Sequence, residues 1–173
     1  DARTAARRKA ERNLDPAAQG RLMLEFSAAL LRLPTGSLAA AADLRTFARL
    51  RLARLRKRGR RQFDAAGNLE PTRLHALRIG FKQLRYAIEF FAPLFPAKAT
   101  ERYTAGLTRA QDTLGFLQDV DTAHARLAAW AGTDRGLRAG ASFIMGWHGP
   151  RYARLRRRVL HDCEPLLWGN TPW

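Results

Sequence analysis

A single cysteine, Cys163, stands in the 173-residue chain, so no disulfide can close within it, and a lone thiol fits a reducing compartment. β-Branched aliphatics are almost as scarce, with valine only at 120 and 159 and isoleucine only at 79, 88 and 144. Strands draw on those residues, whereas the Ala and Leu that recur throughout favour helix, so a sheet is excluded as the main architecture. No apolar run approaches the roughly 18 residues of a membrane span. Arg7, Arg8 and Lys9 are followed by Ala, Glu and Arg instead of the apolar stretch of a signal peptide. A cytoplasmic protein is expected. Nucleophile motifs and Gly-rich phosphate loops are also missing. Cys163 lies between Asp162 and Glu164, an acidic setting that discourages the thiolate. Asp119, Asp121 and His124 have the chemistry of metal ligands, but beside an expected helix break they read as a cap and its salt bridges. We therefore expect no enzyme: no catalytic residue, no metal site and no cofactor.

Negative charge is in short supply too. Asp+Glu number 15 against 31 Lys+Arg, a formal net charge of +16. Such a chain repels itself unless packing or an anionic partner offsets the charge. Nucleic acid, an acidic membrane surface and inorganic polyphosphate all meet that need, and net charge does not choose between them. Of the cations only Lys9, Lys57, Lys82 and Lys98 are lysines; the rest are arginines, whose planar forks suit phosphate oxygens, although a biased codon usage would give the same excess.

What is present reads as one all-α domain, large enough to build a core without disulfide or metal. A short basic helix spans Thr4 to Asn13. Asp15 as N-cap and Pro16 in the first turn start a second helix that runs to about Leu33. Pro34 to Ser37 connects it to a long third helix, Leu38 to about Phe63, ended by Ala66, Gly67 and Asn68. A helix from Leu74 with Pro71 in its first turn stops around Phe95 and Pro96. Ala97 to about Trp130 is helical with a break near Asp119 to Thr122. Arg135 to Trp147 leads through Gly149 and Pro150 into a last helix, Arg151 to about Leu167. Short connections make neighbours antiparallel, so the fold expected is an antiparallel helical bundle of about six to seven helices.

The helix from Leu74 to Phe95 separates two chemistries. Counted at 100° per residue, Arg78, Lys82, Arg85 and Glu89 fall within about 80° of His75. Leu74, Leu77, Phe81, Leu84, Ile88 and Phe91 form the opposite, core-facing arc. A solvated helix would mix Glu with Lys at i, i+4 spacing, but this stripe carries a histidine and three permanent cations before its first carboxylate. Glu89, four residues after Arg85, can hold that guanidinium in place. The same i, i+3, i+7, i+10 spacing recurs in Arg51, Arg54, Arg58 and Arg61, and in Arg151, Arg154, Arg158 and His161. Leucines and Val159 sit beside these two lines, so such cations border a buried arc and can line a groove or channel between helices. A chain this rich in arginine also produces the spacing by chance. Gly115, between Leu114 and Phe116, is expected to let two helices approach closely, and Trp130, Trp147, Trp168 and Trp173 to be packing residues.

The order His75, Arg78, Lys82, Arg85-Tyr86 and Glu89, in LHALRIGFKQLRYAIE, resembles the signature helix of the CHAD domain, an all-helical module named for its conserved histidine. Thr108 to Asp119 and the tail from Gly146-Trp147 to Pro172-Trp173 match further stretches of that family. The resemblance covers roughly Thr46 to the C-terminus and is best from Leu74 to Trp130. In the family two similar helical halves, each with a signature helix, face one another. Here the signature occurs once. The resemblance therefore implies that 64–173 is a second half and 1–63 the closing helices of a first half, the whole forming one CHAD-like domain. Self-association, or pairing with a missing N-terminal half, is expected to cover the faces left open.

The resemblance further implies binding of inorganic polyphosphate, in the cytoplasm and at polyphosphate granules. The residues it points to, with the basic lines, are His75, Arg78, Lys82, Arg85, Arg51, Arg54, Arg58, Arg109, Arg151, Arg154 and Arg158. Polyphosphate is a flexible rod of closely spaced charge with no bases to read, so rows of phosphate donors suffice. Nucleic acid is the alternative partner. Its single-strand binders interleave exposed aromatics with cations, whereas Phe81, Phe90, Phe91 and Phe116 lie in apolar contexts and only Tyr86 borders the stripe. Membrane binding is not expected, because 45–61 carries its leucines on a narrow arc and lacks aromatic anchors beyond Phe47 and Phe63. A helical scaffold is the remaining reading.

Overall fold

A computed structural model describes residues 2–13, 15–32, 44–132 and 134–173. Its helices are α1 (Ala2–Asn13), α2 (Pro16–Leu31), α3 (Leu44–Ala65), α4 (Pro71–Phe91), α5 (Ala97–Ala131) and α6 (Arg135–Trp168). No strand occurs among the described residues. They fall into two compact units, Asp1–Ala42 and Asp43–Trp173. In the first, the Asp15 carboxylate accepts the Ala17 N–H at 2.9 Å and Pro16 sits in the first turn of α2, the cap the sequence predicts. α2 holds no buried residue, and its Leu22, Met23, Leu24, Phe26, Leu30 and Leu31 are exposed.

In the second unit α3 packs on α4, α4 on α5 and α5 on α6, and α6 closes the ring against α3. This is a four-helix bundle with antiparallel sequential neighbours. The arc of α4 expected to face inward is buried in full, from Leu74 to Phe91. It meets Leu52 of α3, Leu107, Leu114 and Leu117 of α5, and Val159, Cys163 and Leu167 of α6 in one core. Each such aliphatic or aromatic side chain contributes about 1.5–3 kcal/mol when withdrawn from water. Gly59 lets α3 approach α6: a Cβ there would lie 2.9 Å from Leu167 Cδ2.

The C-terminal end of α6 is clamped from two helices. Arg56 donates from Nε to the Leu166 carbonyl at 3.3 Å and from Nη2 to the Gly169 carbonyl at 2.5 Å. Arg60 Nε donates to the Leu167 carbonyl at 2.7 Å, and the Tyr103 hydroxyl also donates to Leu166 O. The last carbonyls of a helix have no partner within it and carry its negative dipole end, so guanidinium donors satisfy both deficits. Burial pushes the Tyr103 phenol up to about 12 and lowers the Arg56 guanidinium. At the α3–α4 turn Leu69 takes a positive φ of 57°, which costs a residue with a Cβ about 1–2 kcal/mol. Arg156 Nη2 holds its carbonyl at 3.0 Å.

Several boundaries differ from the sequence expectation. α4 ends at Phe91, and Ala92–Leu94 form a 3-10 turn, because Pro93 and Pro96 have no N–H to continue the ladder. α5 runs unbroken through Asp119 to Thr122: Leu117 and Val120 stay buried, and Asp121 accepts the Tyr152 hydroxyl at 2.7 Å instead of capping a new segment. α6 likewise runs through Pro150. The proline removes one donor from the ladder, but Arg151 and Tyr152 immediately after it both engage α5. The connector Pro34 to Ser37 and the expected first residues of the third helix, 38–43, lie outside the described residues.

Candidate functional site

The α4 stripe lies along the α4–α5 seam. Arg85 is the most constrained of its cations. Nη1 pairs with Glu89 Oε1 at 2.6 Å, as expected of that carboxylate, and Nε donates to Gln111 Oε1 at 3.3 Å. Gln111 in turn donates to the Phe81 carbonyl at 3.4 Å, so one α5 amide ties the guanidinium to the α4 backbone. The Arg85 guanidinium and Lys82 Nζ both lie over the Tyr86 ring, at 4.6 and 5.7 Å from its centroid. His75 and Lys82 are exposed and Arg78 half-buried. Arg78 lies against α5 at Gly115, where a Cβ would stand 3.3 Å from its Nε. The room that Gly115 leaves is taken by a guanidinium, not by a second helix backbone. Arg78 Nε is buried with no hydrogen-bond partner.

The α6 line reaches α5 one residue further on. Arg151 stacks on Phe116 with 4.4 Å between guanidinium carbon and ring centroid. Arg78 from α4 and Arg151 from α6 are therefore seated on consecutive residues of α5, one where a side chain is absent and one on an aromatic face. Arg154 and Arg158 are exposed, and Arg158 approaches Asp162 at 3.7 Å. Arg109 faces the other seam: with Thr113, His161 and Asp162 it lines a cleft of about 510 Å³ between α5 and α6. Arg51, Arg54 and Arg58 are exposed on α3, roughly 100–160° around the helix from the buried Leu52. No described contact brings them to α4 or α6. The inward arginines of α3 are instead Arg56 and Arg60, which the basic spacing passed over and which serve the clamp.

Two tryptophans depart from the packing role expected of them. Trp130 is 71% exposed and Trp147 75%, with Phe143 at 71%. Leu137 and Ile144 are exposed on the same α5–α6 hairpin, and Phe90 stands out from α4. Trp168 does pack, edge-on to Phe63 at 5.0 Å, and Trp173 packs on Tyr103 at 5.3 Å. The i, i+4, i+8 spacing of Phe143, Trp147 and Arg151 puts them on one helix face in the sequence, but spacing does not say whether that face is covered.

No group of three or more His, Cys, Asp or Glu gathers as for a metal ion among the described residues. Nor is any described helix long and apolar enough to cross a membrane. A family model described as the CHAD domain matches residues 1–128. The chain belongs to the CHAD family. CHAD domains are helical modules of the binding type, associated with polyphosphate. The match takes in α4 with its stripe and α5 as far as Ala128. It begins well before Thr46, and it leaves α6 and the tail from Gly146 to Trp173 outside. No curated protein and no solved structure matches the chain.

Proposed function

We propose that this CHAD domain binds inorganic polyphosphate along α4, as a binding module and not an enzyme, in the cytoplasm and at polyphosphate granules. The observation that carries the reading is the line His75, Arg78, Lys82 and Arg85, held open along the α4–α5 seam with a single carboxylate, Glu89, engaged at its end. Arg85 and Arg78 are oriented before any anion arrives, which reduces the ordering cost of binding. Lys82 acts as a mobile point charge. His75 donates a hydrogen bond to a phosphate oxygen. Arg151, seated next to Arg78 on α5, extends the track toward Arg154 and Arg158. Arg109 and the outward line Arg51, Arg54 and Arg58 add positive field, which raises the encounter rate more than the affinity.

The test replaces Arg78, Lys82 and Arg85 together by Gln, keeping helix propensity nearly constant. Long-chain polyphosphate binding is then titrated by calorimetry beside circular dichroism melts. A folded triple variant whose affinity collapses and loses its salt dependence supports the site, because fewer phosphate contacts release fewer counterions. A folded triple variant that binds as tightly and with the same salt slope removes α4 from the site. Early melting with parallel loss of binding would assign these cations to structure.

A further inference from the structure

We propose that the outward face of α6 is a binding surface for single-stranded nucleic acid, with bases stacking on Phe143 and Trp147 and the backbone following the arginines beyond them. At 100° per residue, Phe143, Arg151, Arg154, Arg158 and His161 all fall within about 40° of Trp147 around the helix axis. One line therefore carries two aromatic rings at its N-terminal end and three arginines and a histidine after them. The rings are 6.4 Å apart between centroids at an interplanar angle of 31°, and both present most of their surface to water. From Phe143 to Arg158 the line is about 22 Å long at 1.5 Å per residue, room for a short single-stranded segment. Arg151 is pre-set on Phe116.

Polyphosphate has no use for the rings. Exposed rings in line with cations that track a backbone are what single-strand binders supply, because each base offers a π-face whatever its identity. An interfacial membrane helix would set its rings and its cations on opposite faces, whereas here they share one. A second copy seated on this face would set its arginines against arginines and gain nothing from them. The charge of the line thus selects an anion, and its rings select an anion that carries bases.

The experiment compares oligo(dT), an abasic phosphodiester of the same length and long-chain polyphosphate on the full chain at fixed salt. Tryptophan emission is followed in the wild type, Phe143→Ala, Trp147→Ala and Arg154→Gln/Arg158→Gln. Tighter binding of oligo(dT) than of the abasic oligomer is expected. Each ring substitution should weaken oligo(dT) roughly five- to 150-fold and leave the abasic oligomer and polyphosphate unchanged. The double Gln variant should weaken all three ligands. Both rings are exposed, so these variants keep the fold, as circular dichroism will verify. Equal affinity for oligo(dT) and the abasic oligomer, or a Trp147→Ala variant that binds oligo(dT) like wild type, overturns the proposal even if polyphosphate binds α4. So does Trp147 emission that shifts with protein concentration and not with oligo(dT), which would show the rings covered by a second copy. Loss of polyphosphate binding in the α4 triple variant with oligo(dT) binding retained would separate the two surfaces.

Discussion

Replacing Arg56 and Arg60 together by Gln should loosen α6 from the bundle. Arg56 spans the Leu166 and Gly169 carbonyls, and Arg60 holds that of Leu167 while lying 5.6 Å over the Trp168 ring. Hydrogen bonds from charged donors contribute roughly 1.5–3 kcal/mol per residue replaced, and a cation–π contact near the surface about 0.5–1. Together these give about 3.5–7 kcal/mol, and because Tyr103 still holds Leu166 O the low end, about 4 kcal/mol, is expected. For a domain of this size that lowers Tm by about 8–16 °C. Removing two positive charges also relieves self-repulsion, which pulls the other way. The control is therefore Arg51→Gln/Arg54→Gln, which removes the same charge from the exposed line of the same helix. Thermal and urea melts followed by circular dichroism read both variants. If the Arg56/Arg60 variant melts within a degree or two of the control, the clamp contributes nothing and the reasoning fails.

Tyr103 and Cys163 make the bundle alkali-sensitive. Burial raises each to about 12, from ordinary values of 10.0 and 9.0. Each is neutral when protonated, so the folded state holds its proton longer than the unfolded state. Stability is complete below about pH 9 and falls as pH rises toward 12, by about 2–3 kcal/mol for Tyr103 alone. Urea midpoints between pH 7 and 11 that do not decline would contradict this, as would rapid labelling of the buried Cys163 in the native protein by a thiol reagent at pH 8. Gly115→Ala should separate stability from binding: alanine favours helix by up to about 1 kcal/mol, while its Cβ presses on Arg78 and should weaken polyphosphate binding several-fold. Unchanged affinity in calorimetry would show that the Arg78 seat is irrelevant. The exposed apolar side chains of α2 should drive self-association, to be read by light scattering; Leu24→Gln/Phe26→Gln should reduce it, and a wild type that stays monomeric up to high concentration would count against it.

Local chemistry made much of this protein legible from its residues. The scarcity of valine and isoleucine pointed to helix, and a period of 3.6 placed Leu74 to Phe91 inside and His75 to Arg85 outside, because both depend only on spacing along one helix. The pairing of Arg85 with Glu89 was readable for the same reason. Period identifies the faces of a helix but not what lies against them. Arg51 and Arg56 belong to one helix, and only the docking of α6 makes one of them solvent-facing and the other a donor to a carbonyl 110 residues away. Pro150 reads as a helix end when the lost N–H is counted alone, and contacts of the next two side chains with α5 reverse the outcome. Tryptophan chemistry favours burial wherever a neighbour exists to cover the ring; no local rule reveals that Trp147 stays exposed, or that Gly115 receives a guanidinium. Such contacts join segments far apart in the chain, so only the tertiary structure decides them.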